Sequence, residues 1–201
     1  MAVYKLFPLQ DSTIYSFYPY MNTGIDPIIE AGNLNVSINP LPQVFRYLVE
    51  FDQDEINSVI NTKVTGSEGK NFSSSLKCFV ANAQGVNFNT NLEIYPISGS
   101  WSNGTGTYLD SPATVNGVSW RARTFSGSVN NGAAYWDLAG WGNYVTASWS
   151  GNINQGGGTW YTGSDDPYNP NIKVTQSFTL RSQKDLNAPV TDIVNVWYSS
   201  S

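Results

Sequence analysis

With 201 residues, 40% of them hydrophobic and only 12% charged, the chain can bury one sizeable core, and its polarity comes from Asn, Ser, Thr and Gly rather than from ions. A net charge of −5 with scattered basic residues excludes nucleic-acid binding, which needs clustered Lys and Arg, and no apolar run approaches the roughly 20 residues of a membrane helix. The absence of histidine removes the commonest general base and the usual zinc ligand, leaving carboxylate-only catalysis and oxygen-ligated calcium as the chemistries to weigh.

The Asn- and Gly-rich composition suits strands and tight turns and is poor in residues that favour long helices, so an all-β chain is expected. The opening MAVYKLFPLQ lacks the apolar core and small-residue cleavage site of a secretory signal, which predicts synthesis in a cytoplasm without export by that route. Residues 3–7, 12–15 and 27–31 read as short strands, with a loop at 19–24 and an exposed connection at 32–43. Residues 44–51 (VFRYLVEF) alternate, placing Phe45, Tyr47, Val49 and Phe51 on one face and Val44, Arg46, Leu48 and Glu50 on the other. Asp52 and Glu55 then form a capping box, with Phe51 and Ile56 as its hydrophobic staple. Val59 and Ile60 extend this to a helix of about two turns, ending before Gly66.

Residues 75–82 and 90–97 read as two strands of a hairpin turning at Gln84-Gly85, with Cys78 as a buried thiol. From 98 to about 170 the chain becomes dense in Gly, Ser, Asn and Trp. A structureless loop of that length is improbable, so short strands are expected inside it, for example at 118–125 and 144–149. No repeat or linker interrupts the chain, which predicts a single domain over 1–201. Strand character returns at 173–180. Val190, Ile193, Val194 and Trp197 then fall on one face of a short terminal helix, with Thr191 at the N-cap, Asp192 in the first turn and Trp197 in the core.

Four pieces, taken in order, carry a family resemblance. They are Asp11-Ser-Thr-Ile14 followed by Asn22-Thr-Gly24, the strand at 46–52 leading into a capped helix, Trp101 after Ile94-Tyr-Pro-Ile97, and Val190-Thr-Asp-Ile-Val-Asn-Val-Trp197. The chain resembles the DNRLRE-type domain, a jelly-roll β-sandwich related to carbohydrate-binding modules. In that family a Trp after the fifth or sixth strand begins a variable loop, and a V-T-x-x-V-x-x-W-like helix comes near the end. The opening KLFPLQDSTIYSFYPYMNTGIDPIIEAG also resembles virion structural proteins of tailed phages. The resemblance implies an all-β jelly-roll β-sandwich with two short helices and a long Gly/Trp-rich insertion at 98–170. It further implies a non-enzymatic virion component, made in the host cytoplasm, whose partners are other virion proteins and copies of itself. In the family further strands follow the helix Trp, whereas here only Tyr198-Ser-Ser-Ser201 do. The sandwich edge is therefore expected to be closed by residues 98–170, by further chain or by a partner's strand.

The candidate glycan or interface contacts are Trp101, Trp120, Trp136, Trp141, Trp160 and Tyr161, since aromatic faces stack on pyranose rings and are enriched at interfaces. The competing reading is that these rings pack a Gly-rich loop. Asp11, Asn22, Asp26 and Glu30, and separately Asp165 and Asp166, offer oxygen ligands to calcium, but none follows a fixed ligand spacing, and solvated turn carboxylates are the simpler reading. No other cofactor and no catalytic residue is expected. Asp52 and Glu55 read as capping, and Glu50 and Glu93 as exposed strand positions. The sequons at Asn35, Asn71 and Asn103 carry no weight without an export signal. The alternative to a virion structural protein is a carbohydrate-binding module for a host or matrix polysaccharide.

Overall fold

The alternating strand at 44–51 is the centre of the largest sheet. In the computed structural model, which describes residues 3–34, 43–64, 72–81, 89–97, 99–126, 134–136, 157–158, 173–179 and 185–199, it becomes β3 (Gln43–Glu50). It lies between β1 (Gln10–Tyr15) and β2 (Gly32–Leu34), antiparallel to both. The register pairs Ser12 with Leu48 and Ile14 with Arg46 on one face, and Thr13 with Tyr47 and Tyr15 with Phe45 on the other. Both faces are used. Leu48 and Ile14 enter the main core, while Tyr47 lies near Cys78 of β4 (Ser75–Cys78).

The other pairings are β4 with β9 (Leu186–Pro189), β5 (Thr90–Ile94) with β8 (Val174–Phe178), and β6 (Ala122–Thr124) with β7 (Ala134–Tyr135), all antiparallel. The Gln176 side chain bridges β8 to β9 in place of a backbone ladder, donating to the Asp185 carbonyl (3.1 Å) and accepting from the Asn187 N–H (2.8 Å). Among the described residues the protein is thus mostly β, with two helices and several small antiparallel sheets. These pairings do not trace a jelly-roll topology.

Several expectations change. Residues 75–82 and 90–97 do not pair with each other, since β4 takes β9 and β5 takes β8. Residues 3–7 form no strand, and the ladder of β1 reaches back only to the Leu9 N–H, which donates to the Glu50 carbonyl. Residues 27–31 form none either. Pro27 has no N–H to donate, and pairing starts at Gly32, inside the stretch read as an exposed connection. Cys78 is half-buried rather than buried, with Phe79 and Val80 beside it exposed. The turn at Gln84-Gly85 and the strand expected at 144–149 lie outside the described residues.

Helix α1 (Gln53–Lys63) begins where the capping signal predicts and runs three turns rather than two. Asp52 accepts from the Asp54 and Glu55 N–H groups at 2.9 and 3.3 Å, and Ile56 and Ile60, one turn apart, are buried. Asp52→Ala is expected to cost about 1 kcal/mol, measured by urea unfolding. A change below a few tenths would mean that the cap contributes little here.

Helix α2 (Thr191–Ser199) starts one residue differently from its predicted cap. The Val190 carbonyl accepts the first helical bond from Val194, and the Thr191 hydroxyl instead accepts from the Ser74 N–H at 3.0 Å, tying the helix to the residue before β4. Its Tyr198 hydroxyl donates to Asn61 of α1 (2.8 Å). The apolar stripe is present, but only Ile193 of it is buried, and Trp197 is half-buried rather than core.

Candidate functional site

Three tryptophans of the Gly-rich region enter the main core. Trp101, Trp120 and Trp136 are buried with Ile14, Leu48 and Val118 in the main hydrophobic cluster. The Trp136 indole N–H donates to the Ser119 carbonyl at 3.0 Å, so its polar edge is satisfied inside. Arg46 lays its guanidinium over the Trp120 ring, 5.0 Å from the centroid, and donates to the Gly157 carbonyl at 2.8 Å. Burial pushes the Arg46 pKa down to about 10. These three rings are packed in the core. Trp141, Trp149, Trp160 and Tyr161 lie outside the described residues.

What draws this region into the core is the motif Asn22-Thr23-Gly24. The fully buried Asn22 amide donates to the carbonyls of Asn103 (2.7 Å) and Val118 (2.8 Å). Its Oδ1 accepts from the N–H groups of Gly24 (3.2 Å) and Gly106 (2.8 Å). Two donors and an acceptor are thereby all satisfied. Gly24 passes so close to this loop that a Cβ there would lie 2.0 Å from the Asn103 oxygen. Thr23 closes the outer edge of β1, its hydroxyl accepting from the Thr13 N–H (3.1 Å) and donating to the Thr13 carbonyl (2.6 Å). An edge strand that offers no free backbone pair there cannot recruit another chain at that point.

Outside this clasp the same segments build a surface. Tyr15 contacts the rings of Phe17 (5.4 Å), Phe45 (5.8 Å) and Tyr108 (5.2 Å), and Tyr18 lies 6.2 Å from Tyr108. Tyr15 is buried, whereas Tyr18 and Tyr108 are 48% and 44% exposed. Both carboxylate oxygens of Asp26 accept from the Tyr108 N–H at 3.1 Å, and Glu30 accepts from the Tyr15 hydroxyl at 2.7 Å. Burial first, then the Glu30 bond, pushes the Tyr15 hydroxyl far up its titration range. This surface was missed at the sequence level. The aromatic run Tyr15-Ser-Phe-Tyr18 signals it, but nothing local shows that Tyr108 joins it.

The calcium candidates do not converge. Asn22 has its oxygen occupied by two N–H groups, and Asp26 and Glu30 hold tyrosines. Among the described residues no group of three or more His, Cys, Asp or Glu side chains is placed to hold a metal ion. Asp165 and Asp166 lie outside the described residues. Glu50 accepts from Gln10 (2.6 Å), and Glu93 pairs with Lys173 (3.1 Å) and accepts from the Tyr95 hydroxyl.

Asp26 and Asp110 titrate in opposite directions from the ordinary aspartate value of 3.8. Burial, with Glu30 and Asp110 nearby, raises Asp26 against the Tyr108 N–H that lowers it. Hydrogen bonds from the Thr114 and Thr107 hydroxyls and the Thr107 N–H lower Asp110. The stabilisation tied to Asp110 is therefore complete above the unfolded value of about 3.9 and is lost as pH falls through its folded pKa. For Asp26 the sign reverses, its contribution being full below the unfolded value and lost as pH rises through the folded one. On acidification, carboxyl NMR shifts should show Asp26 protonating before Asp110, and the opposite order would contradict this geometry.

Compared with known proteins, the chain matches no family model, no curated protein and no solved structure.

Proposed function

We propose that this chain is a non-enzymatic structural component of a tailed-phage particle, a jelly-roll β-sandwich of the DNRLRE type acting through protein–protein assembly. The observation that carries this reading is the arm leading into β1, where Val3, Phe7 and Leu9 are 79%, 76% and 66% exposed and Tyr4 is exposed as well. Large apolar side chains held in water are stabilised by about 1.5–3 kcal/mol each when buried, so a neighbouring subunit gains by covering them. The joining of Asn22-Thr23-Gly24 to the segment after Trp101 supports reading those motifs as parts of one fold. The protein is made in the host cytoplasm and resides in the virion, bound to other virion proteins and to copies of itself. Mass spectrometry of purified particles tests this. A fixed copy number per particle is expected, and absence from particles would sink the reading.

A second reading, a carbohydrate-binding module, is favoured by the exposed Tyr18 and Tyr108 rings beside the Asp26 and Glu30 carboxylates. Calorimetric titration with polysaccharides tests it. Specific binding lost in Tyr108→Ala would support this reading, and no heat with any glycan would remove it.

A further inference from the structure

The two loops that meet at Tyr108 carry an unusual surface. Ile25 and Ile28 of one loop are 57% and 53% exposed, and Leu109, next to the half-exposed Tyr108 on the other, is 88% exposed. The loops are bound to each other, the Ile25 N–H donating to the Gly106 carbonyl (3.1 Å) and the Tyr108 N–H to Asp26. The turn itself is held by Asp110, which accepts from the Thr107 N–H (3.0 Å) and from the Thr107 and Thr114 hydroxyls. The apolar groups are thus presented on a preformed scaffold, so little conformational freedom is lost when something covers them.

Among the described residues, the charges that act on this patch are carboxylates. Asp26, Glu30 and Asp110 border it, and their hydrogen-bond partners among the described residues are the uncharged groups of Tyr15, Tyr108, Thr107 and Thr114. An apolar surface bordered by carboxylates and half-exposed tyrosine rings suits cations, through charge complementarity and through attraction to the rings. A second copy of this chain fits poorly, since each copy carries a net charge of −5. We infer that this patch docks a segment of another virion protein that presents Lys or Arg between apolar side chains. The inference rests on the structural role proposed above and names the chemistry of one partner.

The test uses the intact chain and a short synthetic peptide alternating Arg and Leu, titrated by calorimetry, with a Glu/Leu peptide as the charge-reversed control. Saturable binding of the basic peptide is expected, weakening as salt rises. Glu30→Gln and Leu109→Ser should each weaken it about tenfold, whereas Asp54→Asn on α1 should change it less than about twofold. Leu109 is so exposed that its substitution leaves the fold intact, which a thermal melt verifies. Equal weakening by Asp54→Asn would reduce the effect to general attraction and overturn the proposal. So would equal binding of the Glu/Leu peptide, self-association lost in Leu109→Ser, or binding of a neutral glycan at the same residues. A chain found in particles but indifferent to the peptide overturns the docking site and leaves the structural role standing.

Discussion

Asn22→Ala is expected to destabilise the protein by about 4 kcal/mol, a large share of the roughly 5–15 kcal/mol that holds a domain together. The substitution removes a small side chain, so lost packing is not the cause. It leaves the carbonyls of Asn103 and Val118 and the N–H groups of Gly24 and Gly106 without their partner. Each buried, unsatisfied group costs about 1–3 kcal/mol, and water entering the site recovers part of that. Gly104→Ala attacks the same clasp from the loop side. Gly104 has φ +81°, and a Cβ there would lie 2.4 Å from the Asn22 Oδ1. Both variants should lower the urea midpoint and expose amides of the 102–118 segment to hydrogen exchange first. A loss under about 1 kcal/mol for Asn22→Ala would show that the clasp is not what holds the segment in place.

Trp120→Ala is expected to cost about 4 kcal/mol, through lost transfer energy and the cavity left behind. The ring lies between Val118, Trp101 and Trp136 on the core side and the Arg46 guanidinium over its face. Its removal strips the core of one of its two largest fully buried side chains and leaves the Arg46 charge without its ring. Trp120→Phe keeps an aromatic face under the guanidinium and should recover more than half of the loss. Equilibrium unfolding of the two variants checks this. Equal losses would mean that the aromatic face contributes nothing beyond volume.

Parts of this architecture are legible in single stretches of sequence. The alternation of residues 44–51 and the Asp52 cap are read correctly because each depends on residues within one strand or one helical turn. Other expectations fail for non-local reasons. Residues 75–82 and 90–97 look like a hairpin because they are near in sequence, yet β4 and β9 pair across more than a hundred residues. The tryptophans of the Gly-rich region read either as a surface platform or as packing, because their sequence neighbours are polar, and Trp101, Trp120 and Trp136 prove buried. Ile14 and Leu48, far away in the chain, make their environment apolar. Thr191 looks like a cap, and its hydroxyl goes to Ser74 instead.

By itself the sequence determines the mostly β character, the apolar stripes of the two described helices and the net acidity. These follow from residue type and short-range periodicity, which act over a few residues at a time. The tertiary structure alone decides that Asn22 holds a loop 81 to 96 residues away, that Trp101, Trp120 and Trp136 are core, and that Tyr15 and Tyr108 meet beside Asp26. The physical reason is that a buried amide or ring gains its energy from partners brought in by the whole fold. No local pattern encodes which distant carbonyl or ring that partner is.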